Sequence, residues 1–77
     1  MDKKETIERI IEYIRAHIEG IDVTYDYGND TIKIDDDDID FHFTQNISIQ
    51  IEMCQFNEDY LKDLSQNICC IYMSVLF

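Results

Sequence analysis

The first twenty residues place apolar side chains at intervals of three and four positions. Charged residues fill most of the positions between the isoleucines, which are Ile7, Ile10, Ile11, Ile14 and Ile18. This spacing puts the isoleucines on one face of an α-helix. Gly20 provides a stop signal, because glycine is common just beyond the end of a helix. The pattern therefore predicts a helix that buries one face and ends near residue 20.

From residue 21 to residue 53 the period changes to two. Apolar and polar side chains alternate in four short segments, 21–27, 31–35, 38–43 and 47–53, which predicts four β-strands. The connections are short, so neighbouring strands are expected to be antiparallel, with Asp36 and Asp37 at the tip between the second and third. Each segment has one apolar face, so the sheet should bury one side only.

The last segment returns to helical spacing. Asn57 is a suitable N-cap, and it precedes an apolar stripe of Leu61, Leu64, Ile68, Ile71, Tyr72 and Val75. Beyond residue 67 nearly every residue is apolar, so a helix here needs cover on more than one side, from the first helix or from a second chain. A terminal strand is the alternative for these residues. If a second chain supplies the cover, a homodimer is expected, with its contact at Met73, Leu76 and Phe77.

These elements predict the order α-β-β-β-β-α. We expect one α+β domain spanning residues 1–77, with two helices packed on one face of a four-stranded antiparallel sheet.

Charge is concentrated in the middle of the chain. The 77 residues include 17 acids and 6 bases, for a net charge of −11. Residues 22–40 alone hold eight acids and a single base, Lys33. Such a field repels phosphate and therefore opposes direct binding to nucleic acid or to an anionic membrane. It favours a basic partner, a cation, or simple solubility.

The predicted strands collect most of these acids on the open face of the sheet. The residues expected there are Asp22, Asp26, Asp35, Asp38, Asp40 and Glu52, and Asp36 and Asp37 extend the row at the hairpin tip. Neighbouring strands lie roughly 4.8 Å apart, and a duplex presents one phosphate per about 1.7 Å of its axis. A rigid sheet of carboxylates can therefore imitate the charge pattern of a nucleic acid. The alternative is a solvated face that only keeps the protein soluble.

Metal binding and catalysis receive little support. Clustered carboxylates suit Ca²⁺, but the helix–loop–helix pattern of calcium sites is absent, and Asp35 to Asp38 would alternate sides in an extended chain. His42 lies two residues from Asp40, a spacing more typical of a surface ion pair than of a catalytic imidazole. No phosphate-binding glycine loop is present. We expect neither a metal nor a cofactor, and no enzymatic activity.

Cysteine usage and targeting signals indicate the expected compartment. Cys54, Cys69 and Cys70 make an odd number with no paired framework, which fits reduced thiols in a cytoplasm. No apolar run follows the N-terminal residues MDKKE, so no signal peptide is expected. The nearly apolar run at 68–77 is too short to span a bilayer.

In size, charge and α/β build, the chain resembles small acidic phage proteins that imitate nucleic acid. Anti-CRISPR proteins, anti-restriction proteins and uracil-DNA glycosylase inhibitors are of this kind. The features that carry the resemblance are the net charge of −11 and the stretch DVTYDYGNDTIKIDDDDID. The resemblance implies an inhibitor in a host cytoplasm whose acidic face occupies the basic groove of a nuclease or CRISPR effector. The alternative is a small cytoplasmic interaction or structural domain, which could form a homodimer through residues 68–77 and whose acidic surface serves solubility only.

Overall fold

The computed structural model describes residues 1–76, which form an α+β fold with three helices and three strands. In chain order the elements are α1 (Lys3–His17), β1 (Asp22–Asp26), β2 (Thr31–Asp35), β3 (Asp40–Phe43), α2 (Ile47–Phe56) and α3 (Glu58–Leu76). The predicted α+β class is confirmed. The prediction of four strands with two helices is wrong, because the fourth predicted strand is a helix.

Helix α1 follows the sequence pattern closely. The Asp2 side chain caps it by accepting a hydrogen bond of 2.7 Å from the backbone N–H of Glu5. Ile7, Ile10 and Ile14 are buried, as their spacing predicts. Arg15 and His17 lie in the last turn, where positive charge complements the helix dipole.

The three strands form an antiparallel sheet in the order β1-β2-β3. Its inner face carries the buried side chains Val23, Ile32, Ile34 and Phe43. The predicted turn at residues 28–30 is confirmed, and it is held by the Asp26 side chain, which accepts from the backbone N–H of Gly28 at 2.9 Å. The other face of the sheet is open to solvent, and its exposed residues are Asp22, Thr24, Asp40 and His42.

The segment ISIQIEMCQF forms α2 rather than a strand. Ile47, Ile51 and Cys54 are buried at helical spacing, whereas Ile49 and Met53, which the strand would have turned inward, are exposed. The apolar residues at 47, 49, 51 and 53 fit a period of two, whereas those at 47, 51 and 54 fit a helix, so the pattern alone does not decide between the two structures. Packing decides it, because α2 lays its buried face against both α1 and α3.

Helix α3 is confirmed over residues 58–76, so the terminal-strand alternative does not apply to them. Asn57 is its N-cap as predicted, since its side chain accepts from the backbone N–H of Asp59 at 3.0 Å. Helices α1 and α2 both pack on α3, and Tyr72 makes an edge-to-face contact with Phe41 of β3. One chain therefore covers most of the apolar surface of the helix, and its exposed apolar remainder within 68–76 is Cys70, Met73, Val75 and Leu76.

Within residues 1–76, none of the helices is both long enough and apolar enough to cross a bilayer.

Candidate protein interaction surface

The described surface offers faces rather than cavities. Residues 1–76 enclose no pocket. Within the same residues, no three His, Cys, Asp or Glu side chains converge as metal ligands would. The candidate site therefore lies on the open face of the sheet and at its hairpin tip.

Strand register arranges the open face in rows that run across the sheet. Asp22 of β1 lies opposite Asp35 of β2, which lies opposite Asp40 of β3, and we call these three residues the acidic row. The next outward row holds Thr24, Lys33 and His42, and we call it the mixed row. The face is therefore acidic at one end and carries two basic groups next to it.

The carboxyl groups within the acidic row interact directly. Asp35 forms a side-chain hydrogen bond with Asp40, and this bond is the main reason that the pKa of Asp35 is raised above its ordinary value. The same bond lowers the pKa of Asp40, and the neighbouring His42 lowers it further. Two like charges so close together favour retention of one proton between them. Asp35 therefore binds a proton more readily than an isolated aspartate does.

The mixed row partly balances these charges. His42 Nε2 lies 3.0 Å from Asp40 Oδ1, and Lys33 Nζ lies 4.0 Å from Asp26 Oδ2. Both pairs lie on the open face, where an ion pair contributes little to stability because water screens it. Their main consequence is positional, since they orient the Asp26 and Asp40 side chains.

Asp36 does not belong to the open face. Its Oδ1 accepts from the backbone N–H groups of Asp38 and Ile39, each at 2.7 Å. Its Oδ2 accepts from the Tyr72 hydroxyl at 2.6 Å, which ties the β2–β3 loop to α3. The tyrosine bond and the two backbone bonds lower the pKa of Asp36. Burial, together with this bond, raises the pKa of Tyr72 to about 12.

Asp26 and Asp30 likewise serve the first hairpin. Asp26 accepts from the backbone N–H of Gly28 and from the Asn29 side chain, each at 2.9 Å, and the asparagine bond is the main reason that its pKa is lowered. Asp30 accepts from the Tyr25 hydroxyl at 2.9 Å and from Lys3 Nζ at 3.3 Å, and the tyrosine bond lowers the pKa of Asp30 most.

The sequence-predicted set is therefore divided by the structure. The sequence predicts Asp36 and Asp37 at the tip between β2 and β3. In the structure the exposed tip residues are Asp37 and Asp38, which lie beside the acidic row. The structure brings together one group of exposed or half-exposed carboxylates, which we call the acidic end: Asp22, Asp35, Asp37, Asp38 and Asp40. Glu52 is exposed on α2, so its predicted place on the sheet face is wrong.

Sequence reasoning missed an apolar stripe on α2. Ile49, Met53 and Phe56 are exposed, with Phe56 90% accessible to solvent. Their spacing of four and three residues would have shown the stripe had the segment been interpreted as a helix. Of the residues predicted for a dimer contact, Met73 is 46% exposed and Leu76 41% exposed, while Phe77 lies outside the described residues.

Comparison with known proteins assigns the chain to no family. The sequence matches no family model, and neither a curated protein nor a solved structure shows significant similarity to it.

Proposed function

We propose that this protein is an acidic inhibitor that binds the basic groove of a nucleic-acid-processing protein, such as a CRISPR effector or another nuclease. The acidic end makes the contact and excludes the nucleic acid. The observation that supports this proposal is the gathering of five carboxylates at one end of a hydrogen-bonded sheet. The chain needs no metal, cofactor or reaction of its own for this role.

Fixed positions distinguish the acidic end from a disordered acidic tail. Backbone pairing sets neighbouring carboxylates of the row on strands roughly 4.8 Å apart. The Asp36 side chain holds the loop that carries Asp37 and Asp38, through its two bonds to the backbone. A preordered surface loses less conformational entropy when it binds, so a given set of ion pairs yields more affinity.

Binding would also act on the pKa of Asp35. Asp35 holds a proton more readily than an isolated aspartate because of Asp40. Positive side chains in a groove favour the ionised form and would lower the pKa of Asp35 again. The neighbouring Asp40 and a basic groove would therefore shift the pKa of Asp35 in opposite directions.

The test compares two variants that each lose three negative charges. The first replaces Asp22, Asp37 and Asp38 by asparagine, and it leaves Asp36, Asp35 and Asp40 with their hydrogen bonds. The matched control replaces Glu8, Glu12 and Glu52 by glutamine, on exposed positions of α1 and α2. Each variant and the unmodified chain are used to capture proteins from host lysate, and the affinity of any nucleic-acid-processing protein recovered is then measured.

We expect the acidic-end variant to lose affinity by at least about tenfold, mostly through slower association, because long-range attraction steers the encounter. The control should stay within a few-fold of the unmodified chain. High salt should weaken both complexes. A partner bound equally well by the acidic-end variant would contradict the proposal.

A second candidate function is a small interaction domain whose acids only maintain solubility. The exposed apolar side chains Met73 and Leu76 at the end of α3 favour it, because they are available to a partner that needs no charge. Under this candidate, the two three-charge variants bind any partner equally, so the same experiment separates the two functions.

A further inference from the structure

Strand β3 is an edge of the sheet, and its backbone groups alternate in direction. The backbone N–H of Asp36 donates to the carbonyl of Ile39 at 3.0 Å, which marks residues 36 and 39 as a hydrogen-bonded pair. Such pairs recur at every second residue of an antiparallel ladder. Phe41 and Phe43 therefore direct their backbone groups toward β2. The N–H and C=O groups of Asp40 and His42 point away from the sheet, and both residues are exposed.

We propose that this edge pairs with the same edge of a second copy of the chain, giving a two-fold symmetric dimer with a continuous six-stranded sheet. In the register that we propose, Phe41 lies opposite the partner's Phe41, and Asp40 lies opposite the partner's His42. Asp40 and His42 then form the two hydrogen-bonded pairs of the new ladder, which satisfies all of the outward groups identified above.

Charge complementarity selects this register and this partner. The register places the acidic row of one copy in line with the mixed row of the other. Asp40 therefore lies opposite the partner's His42, and the partner's Lys33 lies next to that histidine on β2. On the inner face the two Phe41 side chains meet, and each already rests against Tyr72 of its own chain. Shifting the register by two residues would instead place His42 opposite the partner's His42 and Asp40 beyond the end of the partner's β3.

The other edge of the sheet does not offer this complementarity. In the β1–β2 ladder the outward backbone groups of β1 belong to Val23 and Tyr25, because alternate residues pair with β2. Symmetric pairing through those two residues would set Asp22 opposite the partner's Asp26. Like charges directly opposite each other destabilise a strand pair. The β1 edge therefore resists the pairing that the β3 edge favours.

The net charge of −11 on each copy does not prevent this dimer. Antiparallel pairing sends the two acidic ends in opposite directions along β3. The two copies of Asp38 are then six residue positions apart, which is roughly 20 Å along a strand. That separation is well beyond the Debye length of about 8 Å at physiological salt, so the two tips are screened from each other.

A charge swap tests the register directly. Sedimentation equilibrium at high micromolar concentration and physiological salt should show a dimer of the unmodified chain. His42→Asp and Asp40→His should each weaken dimerisation by about tenfold, because each places like groups opposite one another twice per dimer. The double variant carrying both changes restores opposite partners and should return to within a few-fold of the unmodified chain. Thr24→Asp is the matched control, because it adds a negative charge to the mixed row at the far edge.

A second measurement tests the backbone ladder. His42→Pro removes an outward N–H without removing a bond to β2, and edge strands tolerate proline at such a position. We expect this variant to remain folded by circular dichroism and to be monomeric. A monomeric unmodified chain would overturn the proposal. A double variant that dimerises as weakly as the single variants would also overturn it. A dimer that is lost in Met73→Asp but kept in His42→Asp would place the contact at the end of α3 and overturn it as well.

Discussion

The aspartates of the turns and the aspartates of the acidic end have the same chemistry and opposite consequences. Asp26, Asp30 and Asp36 accept hydrogen bonds from turn backbones, tyrosines or neighbouring side chains, and each has a lowered pKa. Within residues 1–76, the side chains of Asp37 and Asp38 accept no hydrogen bond from the protein. The turn group therefore stabilises the fold when ionised, whereas Asp37 and Asp38, at the exposed tip of the acidic end, add repulsion that the fold must tolerate.

The run Asp35 to Asp38 contains both kinds of residue in four consecutive positions. Asp35 belongs to the acidic row, Asp36 ties the loop to α3, and Asp37 and Asp38 form the free tip. Net charge alone therefore says little about any one of them. What separates them is the partner of each carboxyl group: Asp36 accepts from three donors, and Asp35 shares a hydrogen bond with another carboxyl group. The Asp37 and Asp38 side chains accept none from residues 1–76.

The largest expected effect on stability comes from the tie between Tyr72 and Asp36. Tyr72→Phe removes the buried hydroxyl and leaves the carboxylate with one partner fewer. Hydrogen bonds to charged groups contribute about 1.5–3 kcal/mol, so we expect a loss of that size in the free energy of unfolding. A core of this size supplies roughly 3–5 kcal/mol in all, so the loss should be plain in a urea or thermal melt.

Asp36→Ala extends this test, because it also removes the two bonds to the backbone of the loop. It should lower the Tm more than Tyr72→Phe does. Asp37→Ala, next to it in sequence, is the control and should leave the Tm nearly unchanged. Equal Tm values for Asp36→Ala and Asp37→Ala would show that the two groups of aspartates do not differ in the way described.

The sequence predicts some parts of this arrangement because their causes are local. The period of α1, the turn at 28–30 and the Asn57 cap depend on residues within one turn of each other. The role of Asp36 depends on Tyr72, 36 positions away, and no local pattern contains that information. The strand predicted for residues 47–53 is wrong for a related reason. Its alternating residues fit a strand, and only the packing of α2 on α1 and α3 excludes that solution.

The second expected effect on stability is smaller and has the opposite sign. Replacing Asp22, Asp37 and Asp38 by asparagine removes charge from the acidic end without removing any of the hydrogen bonds described. The Tm should stay equal or rise by a few degrees, because self-repulsion falls. Added salt should raise the Tm of the unmodified chain more than that of the variant, because salt screens the repulsion that the variant lacks. A clear fall in Tm would give these three residues a structural role.

The smallest expected effect distinguishes Asp36 from Asp35 by the pH dependence of stability. The pKa of Asp36 is lowered on folding, so its contribution is present above the ordinary aspartate pKa, about 4, and is lost as the pH falls below it. The pKa of Asp35 is raised, so its contribution is fully present below that value and is lost as the pH rises through the folded-state pKa. Thermal melts across the acid range of the single variants Asp36→Asn and Asp35→Asn should differ from those of the unmodified chain in opposite directions.

Relative to the unmodified chain, Asp36→Asn should lose less stability on acidification, because it has no carboxylate left to protonate at this position. Asp35→Asn should lose more, because it lacks the group that gains a proton on folding. If both variants shift the profile in the same direction, the two aspartates do not titrate in the opposed way that their surroundings imply.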